Sequence, residues 1–301
     1  MSTESTGTAT VAFIGLGIMG APMAANLVKA GFDVVGYSRG KAAVQALAGK
    51  GGRGAGSTAE AVRDASIVIT MLPDSPDVEQ VITGPGGVLE NSRPGQLVID
   101  MSTIRPDVSR SIAAAAAQAG VRVLDAPVSG GEAGAIEGNL SIMVGGEEAD
   151  FEAARPVFEA VGATIVHVGP HGAGQTVKAA NQLIVAGNLQ LLAEAVVFLE
   201  SAGVDLERGL RVLGGGLAGS TVLNRKSEAM RTRNFTPGFR LELHHKDMGI
   251  VTAAAREAGV VIPLGSAVAQ LIAALVARGD GQLDHSALLK LTAELSGRQA
   301  D

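Results

Sequence analysis

Lys178 and Asn181 lie three residues apart in Gly172-Ala-Gly-Gln-Thr-Val-Lys-Ala-Ala-Asn-Gln182, the opening of the longest helical pattern in the chain. On a helix that spacing puts the ammonium and the carboxamide on one face. The helix around them is otherwise Ala, Val, Leu and Ile, an apolar setting in which two such groups are hard to explain as surface decoration. A protonated lysine beside a carbonyl oxygen can stabilise developing negative charge and hand over a proton. In the reverse direction it must accept that proton while neutral, which desolvation favours. The plain alternative is a lysine that snorkels its ammonium to water. His171 is the rival acid–base group, but between Pro170 and Gly172 it reads as a turn residue.

Three further clusters could carry chemistry. Ser129-Gly130-Gly131 sets a hydroxyl beside two glycines whose N–H groups could form a nest for a small carboxylate, although Gly-Gly is also ordinary loop backbone. In Ser102-Thr103 the hydroxyls follow a strand; Ile104-Arg-Pro106 delays the next helix, so they are freer for a ligand than an N-cap would be. Arg240-Leu-Glu-Leu-His-His-Lys-Asp247 is the densest polar run in the second half. His244 and His245 are neighbours on different sides of a helix and make no metal pair, so no metal is expected, whereas Lys246 and Asp247 could reach a cleft or form an exposed ion-paired face.

The elements that must position these groups begin at Thr10-Val-Ala-Phe-Ile14, a buried strand. Gly15-Leu-Gly-Ile-Met-Gly20 follows, then a helical pattern through Ala30, a stop at Gly31 and a second strand, Asp33-Val-Val-Gly-Tyr37. A Gly-x-Gly-x-x-Gly turn between strand and helix is the context of a dinucleotide fingerprint, with Gly15, Leu16, Gly17, Ile18, Met19 and Gly20 lining the phosphates at the helix start. The second strand ends in Tyr37-Ser38-Arg39, with Asp33 at the wrong end to hold the ribose hydroxyls. Ser38 and Arg39 therefore point to NADP(H) over NAD(H), with use of both left open.

Strands at 66–70, 97–99, 121–124, 140–144 and 163–168 alternate with helical patterns, which predicts a doubly wound, mainly parallel sheet of the Rossmann type. Ligands bind beyond the carboxyl ends of such strands, where Met71-Leu-Pro-Asp74, Asp100-Met-Ser-Thr103 and Asp125-Ala-Pro-Val-Ser-Gly-Gly131 fall. After Gly169-Pro170 the strand-like runs stop, and helices are expected at 173–202, 206–212, 220–231, 241–258, 263–278 and 284–296. The expectation is a nucleotide-binding domain over 1–168 and an all-α substrate and oligomerisation domain over 169–301. The long first helix would join them, with Lys178 and Asn181 on the floor of an interdomain cleft. Apolar stripes that one small bundle cannot cover suggest a homodimer or homotetramer.

The net charge of −6, with scattered Lys and Arg and an aromatic content of 3%, gives no footprint for nucleic acid. The chain has no cysteine, which removes thiol nucleophiles, disulfides and thiolate metal sites. The first ten residues carry no signal-type segment and read as a short disordered lead. No run approaches the roughly 18 to 20 uninterrupted apolar residues of a membrane span, so a cytoplasmic protein is expected.

These motifs resemble the beta-hydroxyacid dehydrogenases, and the likeness runs over nearly the whole chain. Gly15–Met23 is similar to the family's cofactor signature. Asp125–Gly131 with Gly134-Ala135 and Met143–Gly146 is similar to its substrate-binding segment, and Gly172–Gln182 to its catalytic segment. Lys178-Ala-Ala-Asn-Gln-Leu-Ile-Val185, Pro237–His244 with Lys246-Asp247, and Asp284–Leu288 look most like the branch that reduces tartronate semialdehyde. The resemblance implies that Lys178 donates the proton and Asn181 holds the substrate. It implies that Ser129, Gly130 and Gly131 hold the carboxylate, that Leu72, Pro73 and Thr103 line the nicotinamide, and that Lys246 contacts cofactor or site. Ser38 departs from an asparagine found in many members. The implied reaction is NAD(P)H-dependent reduction of a short 3-oxo acid, tartronate semialdehyde to glycerate. The alternatives are 3-hydroxyisobutyrate dehydrogenation, another small semialdehyde reductase, or a non-catalytic scaffold on a borrowed fold.

Overall fold

A computed structural model describes residues 9–299. The proposed N-terminal lead lies, up to Thr8, outside the described residues. The chain divides into two compact units, one ending at Lys178 and the other beginning at Ala179.

Among the described residues the first unit holds nine strands: β1 (Thr10–Ile14), β2 (Asp33–Tyr37), β3 (Arg53–Gly54), β4 (Ile67–Thr70), β5 (Leu97–Asp100), β6 (Arg122–Asp125), β7 (Val128–Ser129), β8 (Leu140–Gly146) and β9 (Gly162–Gly169). They form one sheet in the order β3-β2-β1-β4-β5-β6-β8-β7, with β9 paired to β8. The pairs from β3 through β6 are parallel, whereas β8 runs antiparallel to β6 and β7. Val11-Ala-Phe-Ile14, Val68-Ile69 and Leu97-Val-Ile99 are buried on both faces, as expected of a parallel sheet covered by helices on either side. Those helices are α1 (Gly20–Lys29), α2 (Lys41–Ala48), α3 (Thr58–Val62), α4 (Ser75–Ile82), α5 (Val88–Asn91), α6 (Pro106–Gln118), α7 (Gly131–Glu137) and α8 (Glu148–Val161). One apolar cluster packs Phe13, Met23, Leu27, Leu124, Leu140 and Phe158 on one face. A second packs Ala12, Val35, Val62, Val68, Val98 and Ile112 on the other. This is the expected Rossmann-type fold; the two-residue strands β3 and β7 went unforeseen, being too short to show a period of two.

The second unit is all-helical: most of α9 (Ala173–Ser201), then α10 (Leu206–Gly215), α11 (Thr221–Arg231), α12 (Leu241–Glu257), α13 (Pro263–Ala277) and α14 (Leu288–Leu295). By length and composition alone α9 could cross a membrane. Its Ala186, Leu189, Leu192, Ala193, Val196 and Val197 instead belong to this unit's core, with Leu241, Met248, Ile272 and Leu288.

The helix expected over 284–296 begins late, at Leu288, after a 3₁₀ turn over His285–Ala287. Asp284 is the reason. Its buried carboxylate accepts from Lys226 Nζ at 2.8 Å, from the Gly238 and Phe239 N–H groups at 2.9 and 3.1 Å, and from Ser286 Oγ at 2.7 Å. It ties α11, the loop before α12 and the 3₁₀ turn ahead of α14 into one knot. Burial alone would favour the protonated acid, but the neighbouring His285 ring and the Lys226 and Ser286 donors hold the carboxyl well below the usual carboxylate range.

Composition changes near residue 169, whereas packing divides at Lys178. The start of α9 stays with the sheet because it is bonded there, as described next.

Candidate active site

The turn after β1 is shaped by its glycines. Gly15 has φ +102°, and a Cβ on it would sit 2.3 Å from the Met71 carbonyl oxygen; a Cβ on Gly20 would sit 1.9 Å from the Gly15 oxygen. Neither position admits a side chain. Gly17 differs: a Cβ there would meet nothing within 4 Å, so its backbone borders open space that a pyrophosphate can approach. The first turn of α1 carries no acidic residue and no side-chain cap, leaving its N–H dipoles suited to an anion. Leu16 is buried and Ile18 exposed. Gly15 N donates to Tyr37 O at 2.9 Å, fastening this turn beside the end of β2, where Ser38 and exposed Arg39 follow. Asp33, at the opposite end of β2, is taken by Arg53 at 2.5 Å and Thr10 at 3.0 Å. The residues present fit a nicotinamide dinucleotide.

Leu72-Pro73 and Ser102-Thr103 leave the ends of β4 and β5. Ser102 is fully buried, and its Oγ accepts the Leu72 N–H at 2.9 Å. Here the structure differs from the expectation of a hydroxyl open to substrate: Ser102 latches the loops after β4 and β5 together, and Thr103 beside it is the partly exposed member of the pair. Gly130 and Gly131 both take positive φ, +143° and +67°, a path that L side chains resist. Ser129 ends β7 just before them.

The start of α9 is held by residues that sequence reasoning did not single out. Asp125, the last residue of β6, accepts from Gly172 N at 2.7 Å through Oδ1 and from Gln175 N at 3.0 Å through Oδ2. It caps the helix from across the fold. Gln175, 1% exposed, donates from Nε2 to Ser102 O at 2.8 Å and accepts from Ile104 N at 3.1 Å. The first turn of α9 is thus bonded to the same loop that holds Thr103. Lys178 lies one turn further on, only 7% exposed. The one visible signal for Asp125 was a carboxylate ending a buried strand next to a glycine-rich loop; nothing local marked Gln175. His171, the rival, bonds through Nε2 to Val123 O at 3.0 Å and serves the turn.

Asp125 stands opposite Asp100 in the β5–β6 register. Burial raises the Asp125 pKa against the opposing Gly172 and Gln175 donors. Asp100 is pushed up to about 6, by burial first, with Asp125 adding to the shift while Ser102 and Thr70 oppose it. An acid whose folded pKa exceeds its unfolded value near 3.9 stabilises the fold fully below that value, and the contribution is lost as pH rises through about 6. Two pK units correspond to about 3 kcal/mol. Asp100→Asn keeps the acceptor for Thr70 Oγ1 and Ser102 N but cannot titrate. Between pH 4 and 6 the unfolding free energy of the parent should therefore fall relative to the variant by up to about 3 kcal/mol, as read by denaturant titrations at stepped pH; parallel profiles would refute the assignment.

On the second unit's part of α9, Asn181 Nδ2 donates to Gln182 Oε1 at 2.8 Å, and Gln182 Nε2 donates to the buried Asp247 carboxylate. Lys246 Nζ lies 2.9 Å from the other Asp247 oxygen. The structure thus joins Asn181, Gln182, Asp247 and Lys246 into one chain of polar contacts. His244 is fully buried, its Nδ1 3.1 Å from that of His285. No cluster of metal-ligating side chains is present among the described residues.

Comparison with known proteins bears on this geometry. A family model for the NAD binding domain of 6-phosphogluconate dehydrogenase matches residues 10–169, and one for the NAD-binding domain of NADP-dependent 3-hydroxyisobutyrate dehydrogenase matches residues 172–292. The chain is 44% identical to 2-hydroxy-3-oxopropionate reductase of Escherichia coli, over 92% of this chain and 95% of that protein. It is 40% identical to the NAD-dependent L-serine dehydrogenase of Pseudomonas aeruginosa, over 93% and 97% of the two chains. Among solved structures, Mycobacterium tuberculosis 3-hydroxyisobutyrate dehydrogenase with L-serine superposes with a TM-score of 0.87 at 37% identity, covering 95% of this chain and 99% of that one. A fingerprint turn at the head of a parallel sheet, a helical second unit and these matches along the full length lead to one conclusion: the chain belongs to the beta-hydroxyacid dehydrogenase family, NAD(P)-dependent oxidoreductases acting on CH–OH groups.

Proposed function

We propose that the protein reduces a short 3-oxo acid, tartronate semialdehyde to glycerate, with NADPH as the preferred donor and Lys178 as the proton donor. The observation that carries this reading is Lys178 itself: a buried lysine on a helix whose first turn is bonded by Asp125 and Gln175 to the strand-end loops. A bound nicotinamide supplies the hydride. Lys178 protonates the carbonyl oxygen as charge develops there, and takes the proton back in the reverse direction. Asn181, its amide oriented by Gln182, holds the substrate, and the Ser129-Gly130-Gly131 loop receives the carboxylate. Leu72, Pro73 and Thr103 flank the cofactor on the sheet side, and Lys246 contributes a cation fixed by Asp247.

The choice of substrate follows the 44% identity to 2-hydroxy-3-oxopropionate reductase. A second reading, 3-hydroxyisobutyrate dehydrogenation, is favoured by the likeness to the Mycobacterium tuberculosis enzyme. One methyl group discriminates by only about 1–3 kcal/mol in an apolar pocket, so kcat/KM should be compared across tartronate, methylmalonate and succinate semialdehydes with each cofactor. The highest value on tartronate semialdehyde is the expected result; preference for methylmalonate semialdehyde overturns it in favour of the second reading.

Arg39 supports the cofactor choice, since a guanidinium after the second strand pairs with a 2′-phosphate. Arg39→Asp should lower kcat/KM for NADPH relative to NADH by about 10- to 100-fold, the worth of a charge-assisted contact. An unchanged ratio in steady-state assays would remove the argument for NADPH.

A further inference from the structure

Asparagine is a poor residue for the middle of a helix, because its side chain competes for backbone groups. Asn26 nevertheless stands inside α1, half-buried beside the core residues Ala24 and Leu27. Its Nδ2 donates to the Ala135 carbonyl at 2.8 Å and lies 3.4 Å from that of Ile136. Both carbonyls belong to the last turn of α7, where a helix has no N–H of its own left to bond them. Gly138 ends α7 at φ +67°, and its N–H and that of Asn139 return to the Gly134 oxygen instead. Asn26 thus finishes a helix 109 residues away in the chain.

At seven residues α7 is just under two turns, too short to hold its shape unaided. The strand directions show what depends on it. Parallel pairs join β1 to β6 through β4 and β5, and β8 runs antiparallel to both β6 and β7, so β1 and β7 point the same way. Their ends therefore lie at one edge of the sheet, where the Gly15–Gly20 turn leaves β1 and the Ser129-Gly130-Gly131 loop leaves β7. From Gly20 to Asn26 α1 runs about 9 Å, and from Gly131 to Ala135 α7 runs about 6 Å. The two helices then meet in the Asn26 hydrogen bond.

We propose that Asn26 is a positioning residue for the substrate: it clamps the end of α7 to α1 and so sets the carboxylate loop at a fixed distance from the cofactor's phosphate turn. The proposal rests on the reading of Ser129-Gly130-Gly131 as the loop that receives the carboxylate. Hydride transfer needs its two carbons in near-attack geometry, and a carboxylate anchor displaced by about 1 Å carries the carbonyl carbon out of it.

Amide hydrogen exchange tests the clamp apart from the chemistry. In Asn26→Ala the amides of 130–138 should exchange about 10-fold faster, the worth of a lost hydrogen bond, while those of 15–20 keep the parent's rates. Unchanged exchange over α7 overturns the clamp and leaves the assignment of the loop standing. Asn26→Asp has the same shape but turns acceptors toward the two carbonyls, so it should loosen α7 at least as much; parent-like rates would show that packing holds the helix and overturn the role of the hydrogen bond. Kinetics test the consequence for substrate. On whichever short 3-oxo acid the parent turns over best, kcat/KM of Asn26→Ala should fall about 10-fold, chiefly through KM. On glycolaldehyde, which has no carboxylate for the loop to hold, parent and variant should match. Equal losses on both aldehydes would make Asn26 a structural residue only and overturn the positioning role. A parent that does not distinguish the acid from glycolaldehyde refutes the carboxylate loop itself, and the substrate role of Asn26 falls with it, whatever the exchange rates of α7.

Discussion

Lys178→Ala is expected to bind NADPH nearly as the parent does and to turn over 10²- to 10⁴-fold more slowly, the usual worth of a positioned general acid. The loss should fall on kcat and kcat/KM together, because the proton is needed in the transition state and not in the ground-state complex. Cofactor affinity, read by quenching or enhancement of nicotinamide fluorescence, reports on the Gly15–Gly20 turn, which does not involve the lysine. Addition of a small primary amine should recover part of the rate by supplying the missing acid. Near-normal turnover in the alanine variant would end the proposal that Lys178 is the proton donor, whatever the family membership.

Asp125→Ala should lower kcat by about 10²-fold, the size expected when a catalytic group is displaced by about 1 Å. Asp125 carries no chemistry in this reading. Its carboxylate accepts the Gly172 and Gln175 N–H groups, and without it both donors at the start of α9 lose their buried acceptor, at about 1–3 kcal/mol each in stability. Lys178 is one turn beyond Gln175, so loosening that turn displaces the lysine. Asp125→Asn, which keeps one acceptor oxygen, should fall between parent and alanine variant in both kcat and thermal midpoint. Because the proposed phosphate site is the Gly15–Gly20 turn, the dissociation constant of NADPH should move little. If Asp125→Ala weakens NADPH binding as much as it slows turnover, the carboxylate acts on the cofactor side and the positioning role is wrong.

The parts of this protein that were legible in its sequence are those set by short-range rules. The Gly15–Gly20 turn announced itself because a strand, three spaced glycines and a helix follow one another within a few residues, and the structure shows Gly15 and Gly20 to be positions where a Cβ would collide with backbone. The long parallel strands were visible because burial on both faces demands unbroken apolar runs. Lys178 and Asn181 stood out because polar residues on an apolar helix contradict the pattern around them. Ser102 shows the limit of such reasoning. A hydroxyl after a strand looked available for a ligand, but the β4 loop comes close enough for the Leu72 N–H to claim it, and nothing near Ser102 in the sequence mentions Leu72. Asp284 is similar: its stretch read as the start of a helix, and donors from Lys226 and Gly238 made it a hub instead.

Sequence by itself therefore determined the class of the protein: a Rossmann-type sheet, an all-helical second half, a dinucleotide turn, and one lysine out of keeping with its helix. Tertiary structure alone decided how that lysine is held. Asp125 reaches the start of α9 across 47 positions of chain, Gln175 of α9 reaches Ser102 across 73, and Gln182 reaches Asp247 across 65. The physical reason is one of range. Periodicity and turn chemistry act over a few residues and can be read along the chain, whereas a buried carboxylate chooses its donors only after the sheet has brought distant strand ends together and excluded water from between them.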